Sequence, residues 1–263
     1  MADTNMTDDS AESGYVTEWI PITDLLWGRG VITPGGEGNI ARIVKGMDLR
    51  DKRVLDFGSG VGGGTITLAR NHGARVVGLE IEASFVEFSR GLAAKKGFSD
   101  QVEFRHIEPG PLPIEDASFD HFYTSGVVCH VEDKQSLFTE AYRVLKPGGW
   151  ILGYDWFVER PNAVIDAWMQ VAGFQLYTTR LQDHVDTLRA IGFEEVSGED
   201  STDWYIREAA DELERLRGPL FEKAGALTSP EIRDHFLHEW QCMNSALATG
   251  DVRHGYFRGR KPN

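Results

Sequence analysis

The sequence predicts an α/β fold, namely a doubly wound, mostly parallel sheet of seven strands with helices on both faces. Short apolar runs alternate with helix-like stretches from residue 53 to residue 155, as in parallel strands joined by helices. A glycine-rich turn, Gly58 to Gly64, separates the first strand of that series from its first helix. Glu80 ends the next apolar run, 20 residues after Gly60. Because parallel strands end at one edge of a sheet, this turn and this acid should lie together.

The region before the sheet divides into two parts. Residues 1–14 are polar and acidic and contain no lysine or arginine, so we expect a disordered tail. Residues 15–36 carry apolar side chains near helical spacing. This N-terminal segment is expected either to close over the ligand as a lid or to pack on the sheet. Its turn residues Ile32 and Thr33 are predicted to reach the ligand.

The Rossmann-like core is predicted to comprise residues 37–200 and 251–260. Its strands are expected near 53–57, 75–80, 102–106, 119–124, 149–155, 193–197 and 255–258, and its helices near 37–45, 62–72, 83–97, 134–145 and 181–191. Residues 146–149 should end a helix and form a turn. Residues 201–250 are too long for a hairpin loop and carry apolar residues near helical spacing. We therefore predict a helical cap inserted before the last strand.

Composition limits the partners. The net charge is −14, with no basic cluster, so a nucleic-acid substrate is not expected, because phosphate backbones need neutralising cations. Apolar runs stay below membrane-spanning length, and the acidic N-terminus does not resemble a signal peptide. Cys129 and Cys242 have neither metal-site spacing nor a disulfide framework. We expect a cytoplasmic protein without a bound metal that acts on a small molecule.

The glycine-rich turn can serve two kinds of ligand. Gly58, Gly60 and Gly63 match the spacing of a dinucleotide site, so spacing alone does not distinguish the ligands. Asp56 precedes the turn. Its carboxylate suits the amino group of a methionine moiety and would repel a diphosphate. This residue favours an adenosyl sulfonium over a nicotinamide dinucleotide.

Together with Leu145-Lys146-Pro147-Gly148-Gly149, these features resemble the class I S-adenosylmethionine-dependent methyltransferases. The resemblance implies the Rossmann-like methyltransferase fold and S-adenosyl-L-methionine as cofactor. In this family pattern the turn faces the methionine end, the acid after the second strand holds the ribose, and the residues after the third strand border the adenine. The implied cofactor residues are Asp56, Gly58, Gly60, Glu80, Ile81, Glu108, Pro109, Ser125, Ile32 and Thr33.

His130 follows the fourth strand, where the methyl acceptor should lie, and an imidazole can take a proton near neutral pH. Around it the sequence resembles the small phosphoethanolamine methyltransferases and, more loosely, the sarcosine/dimethylglycine methyltransferases. The matching positions are Tyr15, Ile32, Gly35, Gly36, His130, Trp240 and Gly255-Tyr256-Phe257. This resemblance implies that Tyr15 and His130 form a latch over the site that assists deprotonation.

At two cofactor positions, 80 and 108, Glu replaces the family's Asp, and the acceptor pocket departs from that family at three positions. Gln175 and Met243 stand where the family holds phosphate with Arg and Lys, and Gly126 replaces an Asp that faces the amine. These changes argue against phosphoethanolamine itself. The predicted acceptor pocket is aromatic or uncharged and comprises Trp19, Gly126, Trp156, Phe174, Gln175, Tyr177, Trp240 and Met243. Aromatic walls can hold a cationic amine at about 0.5–2 kcal/mol per contact, can hold a flat or greasy acceptor, or can simply be core.

We therefore expect methyl transfer from S-adenosylmethionine to a small molecule, with an amine nitrogen as the first choice of acceptor. Oxygen or carbon of a specialised metabolite is the alternative. Carbon methylation of an isoprenyl diphosphate would need a basic clamp, for which Arg180, Arg207 and Arg258 are the candidates. Two further alternatives are a cofactor-binding protein without transfer and an enzyme that uses the bound cofactor for another reaction. The sequence leaves the acceptor, the number of methyl groups and the oligomeric state open.

Overall fold

The computed structural model describes residues 17–173 and 175–263. The predicted tail at 1–14, Tyr15 and Phe174 lie outside the described residues. The strands are β1 Arg53–Phe57, β2 Arg75–Glu80, β3 Val102–His106, β4 Phe119–Ser125, β5 Leu145–Val158, β6 Glu194–Asp200 and β7 Val252–Arg260. The helices are α1 Ile20–Trp27, α2 Gly36–Ile43, α3 Gly63–His72, α4 Ala83–Lys96, α5 Lys134–Val144, α6 Ala163–Ala172, α7 Leu181–Ile191, α8 Thr202–Arg217, α9 Phe221–Leu227 and α10 Pro230–Ala248.

The seven strands of the described chain form one sheet in the order β3-β2-β1-β4-β5-β7-β6. The first five pair in parallel, and β7 runs antiparallel to both β5 and β6. The predicted fold class is thereby confirmed. Phe57, the last residue of β1, lies opposite Leu79 of β2 and Thr124 of β4. The ends of these three strands therefore meet at one edge, where ligands bind in such sheets.

Each face of the sheet is covered by its own apolar core. One core joins α1 to α4 and the helices after β6 to the sheet, with fully buried members such as Ile22 and Ile40. The other core packs α5 and α7 on the opposite face through residues such as Phe138 and Leu188. Within the described residues, no helix combines the length and apolar character that a bilayer crossing requires.

The strand β5 begins earlier than predicted. The sequence indicated a turn at residues 146–149, but the strand extends from Leu145 to Val158. Phe119 pairs with Leu145, whereas His121, two positions further on, pairs with Trp150. The extra residues of β5 form a bulge around Pro147, which has no N–H to donate to the ladder. A turn-like sequence is thus accommodated inside a strand.

Residues after β6 fold into α8, α9 and α10, and α10 packs against α6 and α8. A buried carboxylate on α8, that of Glu212, connects these helices to the N-terminal segment. It accepts hydrogen bonds from Trp27 Nε1 at 2.6 Å, the Gly35 N–H at 3.1 Å and Trp240 Nε1 at 3.1 Å. Burial raises the pKa of Glu212, and these donors oppose that rise. Four N–H or O–H groups surround this acid, because Tyr205 Oη also lies 3.5 Å away.

We expect Glu212→Gln to lower the free energy of unfolding by about 1–3 kcal/mol, because its amide N–H₂ would face N–H donors that need an acceptor. Chemical denaturation measures this loss. Glu214→Gln is the matched control, since Glu214 lies exposed on the same helix. Equal stability of the two variants would contradict the assigned role.

Candidate active site

One cavity of about 1340 Å³ opens at the carboxyl edge of the parallel strands, between the glycine turn and helices α6 and α10. Of the predicted site residues, those that line it are Trp19, Ile32, Thr33, Asp56, Gly58, Gly60, Glu80, Ile81, Glu108, Pro109, Ser125, Gly126, His130, Trp156, Gln175, Tyr177 and Trp240. Met243 does not line the cavity. Its sulfur lies buried on the α8 side of α10, 3.8 Å from Tyr205 Oη. Met243, three residues after Trp240 on the same helix, therefore packs against α8 and not in the cavity.

Glu80 fixes the shape of the glycine turn. The Gly60 N–H donates to Glu80 Oε2 at 2.8 Å, and Oε1 accepts from the N–H groups of Ile81 and Glu82 at 2.8 and 3.1 Å. Burial raises the pKa of Glu80, and these main-chain donors oppose the rise. A carboxylate has about four acceptor sites, so Glu80 can accept about one more hydrogen bond. This capacity suits one ligand hydroxyl while the turn stays intact.

The turn itself requires glycine. Gly58 and Gly60 have φ values of +74° and +53°, which side chains other than glycine rarely adopt. A Cβ on Gly58 would lie 2.4 Å from Val127, and one on Gly60 would lie 2.7 Å from Ile32 Cδ1. At these two positions a ligand in the cavity therefore meets main chain.

Asp56 supplies an acid beside this bare main chain. It is buried, and Thr65 Oγ1 donates to its Oδ2 at 2.6 Å. Burial raises the pKa of Asp56 to about 7; the Thr65 hydroxyl lowers it, and the charge of Glu80 raises it further. With one side-chain donor and no cation beside it among the described residues, this carboxyl can pair with a cationic ligand group.

The N-terminal segment covers the turn from the other side. The Gly63 N–H, at the start of α3, donates to the Gly30 carbonyl at 2.8 Å. A Cβ on Gly63 would lie 2.1 Å from that carbonyl oxygen, so only glycine allows this approach. Thr33 Oγ1 and Ser125 Oγ lie 3.2 Å apart, within hydrogen-bonding distance. These contacts attach the segment to β4 and to α3.

His130 lies in a 3₁₀ turn after β4. Burial lowers its pKa, and its hydrogen bond to the main chain of Gln175 opposes this. A ring with a lowered pKa is neutral near pH 7 and can accept a proton. The turn is held by Asp155, whose Oδ2 accepts from the Cys129 N–H at 2.9 Å, and by the Tyr177 N–H, which donates to the Cys129 carbonyl at 2.7 Å.

Sequence reasoning did not identify Asp155, although it placed the neighbouring Trp156 in the acceptor pocket. Asp155 is fully buried, and burial raises its pKa to about 6. Its second oxygen accepts from the Trp156 N–H at 2.8 Å. The residue positions the His130 turn through the main chain, a role that no motif indicates.

Part of the cavity lining is aromatic. Phe236 and Trp240 stack with ring centroids 4.4 Å apart, and Trp19 lies 5.9 Å from Phe236. Trp156 and Trp168 meet edge to face at 5.4 Å. Within the described residues, the cavity lining contains no lysine or arginine. Its acidic members are Asp56, Glu80, Glu82, Glu108, Glu132, Asp133, Glu140 and Glu239.

The end beyond Glu80 is open to solvent. Ile81 is 51% exposed, and the Glu108 side chain is 85% exposed. His106 Nε2 lies 2.9 Å from the Ile81 carbonyl oxygen, within hydrogen-bonding distance. Glu108, predicted to accept from an adenine amino group, therefore lies at the rim.

Comparison with known proteins agrees with this architecture. Residues 55–153 match the sequence pattern of a methyltransferase domain. The chain is 29% identical over 250 residues to phosphoethanolamine N-methyltransferase 1 of Arabidopsis thaliana, which covers 94% of this chain and 50% of the relative. The chain thus spans about half the length of this relative and of other plant phosphoethanolamine N-methyltransferases that it matches.

Two solved structures share the fold. Haemonchus contortus phosphoethanolamine N-methyltransferase 2, in complex with phosphomonomethylethanolamine and S-adenosylhomocysteine, has a TM-score of 0.86 at 23% identity over 94% of this chain and 58% of that chain. A protein assigned as a sarcosine dimethylglycine methyltransferase from Galdieria sulphuraria has a TM-score of 0.71 at 20% identity, covering 86% and 83%. The predicted resemblance to the class I S-adenosylmethionine-dependent methyltransferases is confirmed.

We expect Asp56→Asn to change how stability depends on pH. The wild-type carboxyl has a pKa of about 7 when folded and an ordinary value of 3.8. Because the pKa is higher in the folded state, the protonated carboxyl contributes to the free energy of unfolding. This contribution is fully present below about pH 4 and is lost as the pH rises through 7. The variant should therefore gain stability relative to wild type over that range, by on the order of 4 kcal/mol at most.

Denaturation at a series of pH values measures this difference. Asp100→Asn, at an exposed position, should follow the wild-type curve. If the free energy of unfolding of Asp56→Asn also follows the wild-type dependence on pH, the inference that burial raises the pKa of Asp56 is wrong.

Proposed function

We propose that this chain, with its class I methyltransferase domain, transfers a methyl group from S-adenosylmethionine to an amine nitrogen of a small-molecule acceptor. One observation carries the proposal. A single cavity is lined by Asp56, Glu80 and a bare glycine turn, and also by His130 and a set of aromatic side chains. Binding both molecules in that cavity would align the nucleophile with the methyl group, which is the main requirement of a displacement.

The residues present fit this cofactor. Asp56 would pair with the methionine ammonium, Gly58 and Gly60 would approach the methionine moiety through main chain, and Glu80 would accept from a ribose hydroxyl. The cofactor supplies a methyl group on a positively charged sulfur. A nicotinamide dinucleotide fits less well, because its diphosphate would lie near Asp56 without a lining lysine or arginine among the described residues.

The chain's own residues then have distinct tasks. The neutral His130 ring accepts the proton that the amine loses, and Asp155 holds the turn that carries this ring. The aromatic wall excludes water from the acceptor end. Tyr15, predicted from the family resemblance to act as a latch with His130, remains part of the proposal.

The acceptor should lack phosphate. Within the described residues, neither Arg180, Arg207 nor Arg258 lines the cavity, so the basic clamp considered for an isoprenyl diphosphate is not there. A phosphate dianion buried without a basic partner carries a desolvation cost of roughly several kcal/mol. The phosphate-bearing acceptor of the Haemonchus complex is therefore not the acceptor that we propose here.

Calorimetry tests the cofactor assignment. We expect S-adenosylhomocysteine to bind in a one-to-one ratio and a nicotinamide dinucleotide to release no heat. Incubation with methyl-labelled S-adenosylmethionine and a panel of amines should then yield labelled product. Heat from the dinucleotide alone would reject the proposal.

His130→Ala should reduce kcat by roughly 10²-fold if the ring acts as a base, while S-adenosylhomocysteine binds as in wild type. Steady-state kinetics with an amine from that panel measures the effect. His235→Ala, at an exposed position on α10, is the control. Unchanged turnover of a folded His130→Ala protein would exclude a base at this position.

A further inference from the structure

Glu239 is an acid that the proposed chemistry leaves unused. It lies on α10 between Phe236 and Trp240, lines the cavity and is half-buried. Within residues 17–173 and 175–263, no donor or cation lies within hydrogen-bonding or ion-pair distance of its carboxylate. Burial raises the pKa of Glu239 to about 7, because nothing compensates the loss of solvent.

Comparison with Glu212 shows that the environment of the Glu239 carboxylate is unusual. Glu212, on the neighbouring helix α8, is buried among Trp27, Gly35, Tyr205 and Trp240, which all donate to it. These donors compensate the burial of the Glu212 carboxylate. Among the residues that the structure describes, no such set of donors reaches Glu239, and burying a carboxyl without a partner costs stability. A group retained at such a cost in a ligand cavity is a candidate for ligand binding.

The charge of the cavity as a whole favours a cation as the partner of Glu239. Glu108, Glu132 and Asp133 lie exposed among the cavity-lining residues, and cavities lined by one sign of charge attract the opposite sign. A metal ion is a poor alternative, because no cluster of three ligating side chains exists among the described residues. An organic cation needs only one carboxylate and a suitable apolar surface.

That apolar surface is already in place beside Glu239. Trp240 is held by its hydrogen bond to Glu212 at 3.1 Å. Phe236 stacks on Trp240 with an interplanar angle of 14°, and Trp19 lies against Phe236. An aromatic wall fixed beside an acid can bind an ammonium group by charge and by cation–π contact, and can pack the rest of the molecule.

We propose that Glu239 binds the ammonium group of the acceptor, whose apolar or aromatic body packs on Phe236 and Trp240. The inference rests on the proposed function and makes it more specific. The acceptor is an amine that carries neither phosphate nor carboxylate. Glu239 thereby supplies the negative charge that the related family provides with an Asp at the position of Gly126.

The experiment uses two probes of nearly equal shape, 2-phenylethylamine and 2-phenylethanol. Calorimetry with the full chain saturated with S-adenosylhomocysteine should show about 10-fold or more tighter binding of the amine. Glu239→Gln should remove most of that preference and leave the affinity for the alcohol unchanged. Glu231→Gln, at an exposed position of the same helix, removes the same charge and should keep the preference.

Each outcome decides the proposal. Equal affinity of wild type for the two probes would overturn it, as would an unchanged preference in Glu239→Gln. Glu239→Met repeats the test with an uncharged side chain of similar length, in case the glutamine variant does not fold. Failure of the wild-type protein to bind S-adenosylhomocysteine would instead reject the proposed function, a separate result from the same titration.

Discussion

The hydrogen bonds to the buried Glu212 carboxylate hold together parts of the chain that are distant in sequence. Trp27 belongs to the first helix, Gly35 to the turn before the second, and Trp240 to the last. Without this acceptor, two buried indole N–H groups and the part-buried N–H of Gly35 would lose their partner. Trp27 and Trp240 also line the cavity, so the shape of that part of its wall depends on one carboxylate.

The same chemistry recurs at the strand ends. Glu80 and Asp155 are also buried acids whose oxygens are occupied by main-chain N–H groups rather than by lysine or arginine. Main-chain donors compensate a carboxylate without adding a positive charge to the cavity. The site can therefore be acidic and well ordered at the same time. Asp56 and Glu239 differ from these acids because, within the described part of the chain, one side-chain donor reaches Asp56 and none reaches Glu239. Both acids line the cavity and can accept hydrogen bonds from a ligand.

The features that the sequence predicted correctly are those encoded locally. The strands β1 to β4, the glycine turn and the acid of Glu80 follow from short apolar runs and from backbone conformations that only glycine adopts. The predicted start of β5 was wrong because Pro147 and two glycines resemble a turn. In the structure they form a bulge of β5 opposite β4. Met243 was misplaced because spacing along a helix does not show that α8, through Tyr205, packs against this position. Glu212, Glu239 and Asp155 have no local signature, since their roles depend on packing between distant elements.

The contact between Gly30 and Gly63 has a consequence for the kinds of ligand that this scaffold can serve. The first N–H of α3 is a position that could hold a phosphate oxygen, since helix N-termini favour anions. Here the carbonyl of Gly30 already occupies it. For this helix end to bind the phosphate of a nucleotide, the N-terminal segment would thus have to be displaced before any change of side chains could improve binding.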